Sequence, residues 1–268
     1  GRTVRYHCWF GPQHDWDFAE RAIKAGLDGF ELFGWLRQFP EEEAREYREK
    51  AKRLKAELNA GLTVHAPFMD INLGSINSRI RQVCLEEVRD ALEFAREVGA
   101  SAVAVHTAPG IMGMTEGSWV REHPRPSSGL LAQRELAVRA VQDLADFAPD
   151  LLLCLENLIY PHELYRSPEE MRELVRRVDR SNVGITLDVG HAAVCGYNPR
   201  DFVQLLSDEI LHVHLHDNHG SADEHLPPGK GTIDYVGVIQ SLKQLDYQGV
   251  ITFEFELENP EDYAAYLY

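Results

Sequence analysis

Six side chains of the kinds that hold Zn²⁺ or Mn²⁺ stand at the ends of six successive apolar runs: His65, His106, Glu156, Asp188, His214 and Glu254. Three more follow closely, His191 in Asp188-Val-Gly-His191 and the pair in Asp223-Glu-His225. Any one of these alone reads more simply as a hydrogen-bonded or ion-paired structural residue. The joint pattern argues for a metal site, because chance rarely repeats ligand types at successive strand ends. Nine donors are enough for several ions, since bridging carboxylates let neighbouring ions share ligands.

Ligands so far apart in sequence need a scaffold that gathers them. The candidate strands are Val4–Cys8, Gly29–Phe33, Leu62–His65, Ala102–His106, Leu151–Glu156, Gly184–Asp188, Leu211–His216 and Ile251–Phe255. Amphipathic helices separate them. In Arg79–Val98, residues Ile80, Val83, Cys84, Val88, Ala91, Leu92, Ala95 and Val98 keep the spacing of a buried stripe. Gly99 is expected to stop that helix, as Gly26 and Gly61 end the first two. The charge run Glu41–Lys50 reads as the solvated face of the second helix.

Eight such units in 268 residues predict an α/β fold, one (β/α)₈ TIM barrel spanning 1–268 as a single domain. An open doubly wound sheet is the rival, but no Gly-rich phosphate loop follows the first strand. Barrel enzymes carry their reactive residues at the C-terminal strand ends, where the six ligands fall. In His212-Val-His-Leu-His216 the three histidines share one face. His214 takes the ligand position, His212 points inward at a deeper level, and His216 is a candidate substrate contact. Glu254 and Glu256 also share a face, so register alone leaves both open. The connection Thr107–Gly129 is long and rich in Gly, Pro and Ser, and reads as a lid.

Composition narrows the partners. With 27 basic and 43 acidic residues the net charge is −16, which disfavours nucleic acid as a non-specific ligand. No apolar run approaches the roughly 18 residues of a membrane span. Gly1-Arg-Thr-Val shows no signal-peptide pattern, and the four scattered cysteines read as reduced thiols, so a cytoplasmic location is expected.

From about Leu62 to Pro260 the motifs resemble the xylose isomerase-like barrel superfamily, and within it the endonuclease IV (AP endonuclease family 2) branch. The resemblance is carried, in order, by His65-Ala-Pro-Phe-Met-Asp-Ile-Asn-Leu-Gly74, His106 with Pro109-Gly110, and Glu156-Asn157. It continues through Asp188-Val-Gly-His191, His214-Leu-His-Asp217, and Asp223-Glu-His225 with Pro228-Gly-Lys-Gly231. The spacing of Glu254 from Gly249 then matches that branch's last ligand and favours Glu254 over Glu256. The resemblance implies up to three Zn²⁺ ions held by all nine residues, with Glu156 bridging, or Mn²⁺ in the superfamily's four-ligand set of Glu156, Asp188, His214 and Glu254. The first 60 residues do not match the endonuclease opening, and the loop after the second strand is short and acidic (Phe39-Pro-Glu-Glu-Glu43).

Two chemistries follow. The first, favoured by the five extra ligands, is metal-dependent hydrolysis of a small phosphodiester, such as the nucleotide loop of a corrinoid, not DNA. Glu156 or Glu254 would orient the nucleophile, and Arg121, His123 and Arg125 in the lid would grip the phosphate. The second is isomerisation or epimerisation of a sugar or sugar phosphate with one divalent ion. Epimerases of this type place a second glutamate six residues after Glu156; here that position is His162, with Glu163 next to it. Trp9, Trp35 and Tyr160, near strand ends, suit stacking against a sugar or another ring.

Overall fold

Apolar runs alternate with amphipathic helices and close on themselves. The computed structural model describes residues 4–108, 127–160 and 163–268, excepting the side chains of 127–130. Its strands are β1 (Arg5–Phe10), β2 (Gly29–Phe33), β3 (Gly61–His65), β4 (Ala102–Val105), β5 (Leu152–Glu156), β6 (Val183–Asp188), β7 (Ile210–Leu215) and β8 (Val250–Phe253). They pair in parallel in chain order, and β8 returns to β1 to complete a closed barrel. His106, His216 and Glu254 lie one residue beyond β4, β7 and β8, which end slightly before the predicted strand ends.

Helices α1 (Trp16–Lys24), α2 (Glu41–Leu58), α3 (Ser78–Val98), α4 (Ser127–Phe147), α5 (Pro168–Val178), α6 (Val189–Val194), α7 (Pro199–Leu206) and α8 (Tyr235–Gln244) fill the connections. Their starts are set by local chemistry. Asp15, Asn77, Ser167 and Asp234 each accept a hydrogen bond from a first-turn backbone N–H of α1, α3, α5 and α8. Gly99 ends α3 with a left-handed backbone, as expected. Helix α2 is instead ended by Asn59, and Gly61 opens β3, where a side chain on Gly29 would run into its carbonyl. The α3 stripe is also narrower than its apolar spacing: Ile80 and Val83 are 50% and 57% exposed, while Leu85 and Phe94 join the buried face. The glutamates that open α2 are solvated, but Tyr47 is buried among them and hydrogen-bonds the backbone of both Phe10 and Phe33.

The barrel interior is polar. His7, Glu31, Thr63, Thr186, His212 and Thr252 are all buried, where aliphatic residues more commonly fill such a core. Thr63 and Thr252 donate to Glu31 Oε1 at 3.1 and 3.3 Å, and His212 lies between Thr186 and Thr252 at 3.1 and 3.0 Å. This layer is the floor on which the ligands stand.

Candidate metal centre

The β-ladder, the first turn of α6 and the loop after β7 bring the nine predicted ligands together. His214 Nδ1 lies 3.2 Å from both Glu156 Oε1 and Glu254 Oε1, and 3.7 Å from Asp188 Oδ2. Four residues from β5, β6, β7 and the end of β8 thus converge on one point. Around it, Glu156 Oε2 is 2.8 Å from His106 Nε2 and 3.4 Å from His65 Nε2. His191 Nε2 is 3.6 Å from Asp188 and 3.5 Å from Asp223, which reaches His225 Nε2 at 3.1 Å. Glu256, the alternative to Glu254, lies outside this cluster beside Gln13 and His14. Arg121, His123, Arg125 and most of Thr107–Gly129 lie outside the described residues, as does His162.

Hydrogen bonds aim the rings. His65, His191 and His225 each have Nδ1 at 2.7–2.8 Å from a backbone carbonyl (Ala66, Asn157 and Glu254), an arrangement that leaves Nε2 as the ligand atom. His214 is turned the other way, with Nε2 toward Glu31. Nε2 and Glu31 Oε2 approach to 2.8 Å, close enough to pair, but bent away from a straight hydrogen bond. Asp188 caps α6 through Oδ1, which accepts from His191 N, and is clamped to β5 by two hydrogen bonds with the Asn157 side chain. His216 Nε2 meets the same oxygen at 2.8 Å, and a β-carbon on Gly190 would lie 2.0 Å from the His216 ring. Expected as a substrate contact, His216 is instead buried among the carboxylates, 1% exposed.

Two carboxylates outside the predicted ligand set support the cluster. Glu31 sits mid-strand in an apolar run; its signal was a charge on the inward face of β2, which burial forces to find partners. Asp217 is the second. It accepts from Asn218 and Ile233 N through Oδ1 and from Gly229 and Gly231 N through Oδ2, at 2.8–3.1 Å. It thereby folds back the loop that carries Asp223 and His225.

The electrostatics are those of a cation site. Burial disfavours charge on Glu156, but His106 and His214 outweigh it and hold the carboxyl well below its usual range. Burial likewise opposes the charge on His191 and His214, and the facing carboxylates still raise both well above the ordinary histidine value. Glu254 goes the other way: burial, with Asp188 and Glu156 nearby, raises it. Among the described residues, Glu156 Oε2, Asp188 Oδ2, His216 Nδ1 and Asp223 Oδ1 are buried without a hydrogen-bond partner. Carboxylate oxygens and imidazole nitrogens left in this state suit a divalent ion, and overlapping triads such as His65–His106–Glu156 and His216–Asp223–His225 have donor atoms within 4.8 Å of one another.

A cavity of about 370 Å³ opens above the cluster. Glu156 and Glu254 line it, whereas Asp188 and His214 lie behind them. Glu163 also faces it, its Oε2 accepting from Ile159 and Tyr160 N at 2.6 Å. Trp9, Trp35 and Tyr160 stand in its wall, as the sequence suggested.

Residues 19–266 match the profile of the xylose isomerase-like TIM barrel family, to which the chain therefore belongs. An uncharacterized protein of Methanocaldococcus jannaschii, MJ1311, is 38% identical over 197 residues, 72% of this chain and 64% of that protein. D-psicose 3-epimerase of Enterocloster bolteae is 30% identical over 124 residues, 45% of this chain and 40% of the enzyme. The chain thus covers less than two thirds of either relative. The crystal structure of a D-tagatose 3-epimerase-like protein superposes with a TM-score of 0.79 at 27% identity, covering 97% of this chain and 94% of the other. These likenesses point toward sugar isomerases and epimerases and lend no support to the phosphodiesterase expectation. Among the described residues, no helix is long and apolar enough to cross a membrane.

Proposed function

We propose that the chain is a divalent-metal-dependent isomerase or epimerase of a sugar-type small molecule. The observation that carries this reading is the division of the four-ligand set. Asp188 and His214 are buried behind, while Glu156 and Glu254 present carboxylates to the cavity. A divalent ion held by these four would polarise a substrate carbonyl and an adjacent hydroxyl, making the intervening C–H more acidic. One glutamate then takes the proton from that carbon and the other returns one, to the opposite face for epimerisation. Their environments are already unlike: burial opposes charge on both, but His106 and His214 hold the Glu156 carboxyl low, while burial with Asp188 and Glu156 nearby raises that of Glu254. Glu163 stands where a further carboxylate can orient substrate hydroxyls. Resemblance to the epimerases supports the same reading.

The test is incubation of metal-loaded protein with D-tagatose, D-psicose and related ketoses in D₂O, followed by NMR. Deuterium should enter at the carbon beside the carbonyl, and Glu156→Gln or Glu254→Gln should slow entry by about 10²–10⁴-fold. No exchange into any of them at full metal content would sink the reading.

One observation favours a second reading, hydrolysis of a small phosphoester. His65, His106, His191, Asp223 and His225 extend the four-ligand set into further triads, more donors than one ion takes. Three ions per chain and cleavage of bis(4-nitrophenyl) phosphate would favour it; one ion and no cleavage would remove it.

A further inference from the structure

The outer face of α3 changes character along its length. Toward the C-terminal end its charges are paired within the chain: Glu87 and Asp90 with Arg37, Glu97 with Arg48 and Lys52, and Arg96 with Asp150. At the other end Ile76, just before the helix, is 58% exposed, and Ile80 and Val83 are 50% and 57% exposed. Their spacing, four and then three residues, lines them up as one apolar stripe on the helix surface. Scattered apolar side chains on a surface need no explanation, but a contiguous row of branched aliphatics marks a face that another surface covers. Two charges flank the row. Arg79 and Glu86 are exposed, make no ion pair among the described residues, and stand seven residues apart on the same side of the stripe. Glu86 accepts a hydrogen bond from the Gln82 side chain at 3.0 Å.

We propose that this face pairs two copies of the chain, α3 against α3 in antiparallel sense about a two-fold axis beside Gln82. At about 1.5 Å of rise per residue, that axis sets Ile80 of one copy within about 1.5 Å in height of Val83 of the other, and Arg79 within the same interval of Glu86. In an antiparallel pair the same flank of each helix meets its counterpart, so the cation and the anion on one flank find each other twice. That self-complementarity selects a second copy over a partner of another kind: the row supplies the apolar contact, and its own charges supply the match. The row is small beside the roughly 1,200–2,000 Å² of a stable interface, so the association is concentration-dependent. The connection from β3 to this face carries Phe68 of the cavity wall, so the contact is made at the cavity end of the barrel. It holds for either chemistry of the site.

The test is sedimentation equilibrium of the full chain over roughly 5–500 µM, with the fold of each variant checked by circular dichroism. A monomer–dimer equilibrium is expected. Ile80→Asp and Val83→Asp, at positions half open to solvent in one copy, should each weaken it at least about ten-fold. Arg79→Glu and Glu86→Arg should each weaken it about three-fold or more by setting like charges opposite, and the two together should restore it. A monomer at every concentration would overturn the proposal, as would a dimer that folded Ile80→Asp and Val83→Asp leave intact. A monomer whose thermal midpoint falls sharply with Ile80→Asp would show the face covered by the same chain, which overturns it equally. Charge reversals that the double variant does not rescue would overturn the antiparallel pairing of Arg79 with Glu86.

Discussion

The deep and outer halves of the ligand cluster are held by different means. Glu156, Asp188 and His214 belong to strands, are at most 1% exposed, and are fixed by the β-ladder, by Asn157 and by Glu31. Asp223 and His225 ride on a loop, are partly exposed, and depend on the hydrogen bonds that the Asp217 carboxylate collects from backbone N–H groups. Asp223 and His225 can thus be altered through one loop without disturbing the ladder that holds Glu156, Asp188 and His214.

The sharpest way to break this contrast is Asp188→Ala. It leaves His191, His214 and His216 facing a gap in the interior and should cost about 3–5 kcal/mol in a denaturant titration, along with the ion at the deep site. His225→Ala at the exposed end should cost under about 1 kcal/mol. Equal losses would mean that the two halves are one unit. Next comes Asp217→Asn, which turns an amide N–H₂ toward backbone donors. We expect about 2 kcal/mol of destabilisation and loss of metal bound through Asp223 and His225, with the four-ligand set still loaded by elemental analysis.

Glu31→Gln probes the deep half from beneath. The carboxylate holds its charge because His214 and His212 overcome the burial penalty, and it favours a proton on His214 Nε2, leaving Nδ1 for a metal. The amide should weaken metal affinity about 10–100-fold by calorimetry with fold retained, and shift the His214 tautomer in ¹⁵N NMR.

The smallest effect is in pH. Burial opposes protonation of His225, but Asp223 and Glu254 raise it from 6.5 to about 9. In metal-free protein its stabilisation is therefore complete below 6.5 and is lost as pH rises through about 9. The thermal midpoint of the metal-free protein should decline modestly over that window, while metal affinity at the outer site rises as the competing proton leaves. The deep carboxylate Asp188, lowered despite burial by His191 and His216, acts in the opposite direction: its contribution is present above the ordinary carboxylate range and fades only in acid. A metal-free midpoint that is flat from 6.5 to 9 would contradict the pairing of Asp223 with His225.

Much of this arrangement was legible in the chain. The ligands ended apolar runs, and a barrel gathers such ends at one face, so His65, His106 and Glu254 were found together although far apart in sequence. What escaped was whatever acts through a neighbour. Glu31 is an isolated charge in Gly29–Phe33, and local spacing does not show that β7 will set two imidazoles beside it. Asp217 is visible only as the end of the His214-Leu-His-Asp217 motif, and the backbone donors it gathers appear once the chain folds back on it. Ile80 and Val83 keep the apolar period yet lie exposed near the start of α3. The chemistry was less legible still, because the larger ligand set contains the smaller one.

Gly190 carries a consequence of another kind. Its space is filled by the His216 ring, whose Cε1 would sit 2.0 Å from any β-carbon placed there. Its backbone does not need glycine's left-handed freedom; the requirement is for vacancy. Positions 190 and 216 therefore share a single volume, which holds an imidazole or a second side chain but not both. An alanine at 190 would evict the ring from Asp188, whereas paired with a small residue at 216 it should be accommodated, so the double variant is expected to fold better than Gly190→Ala alone.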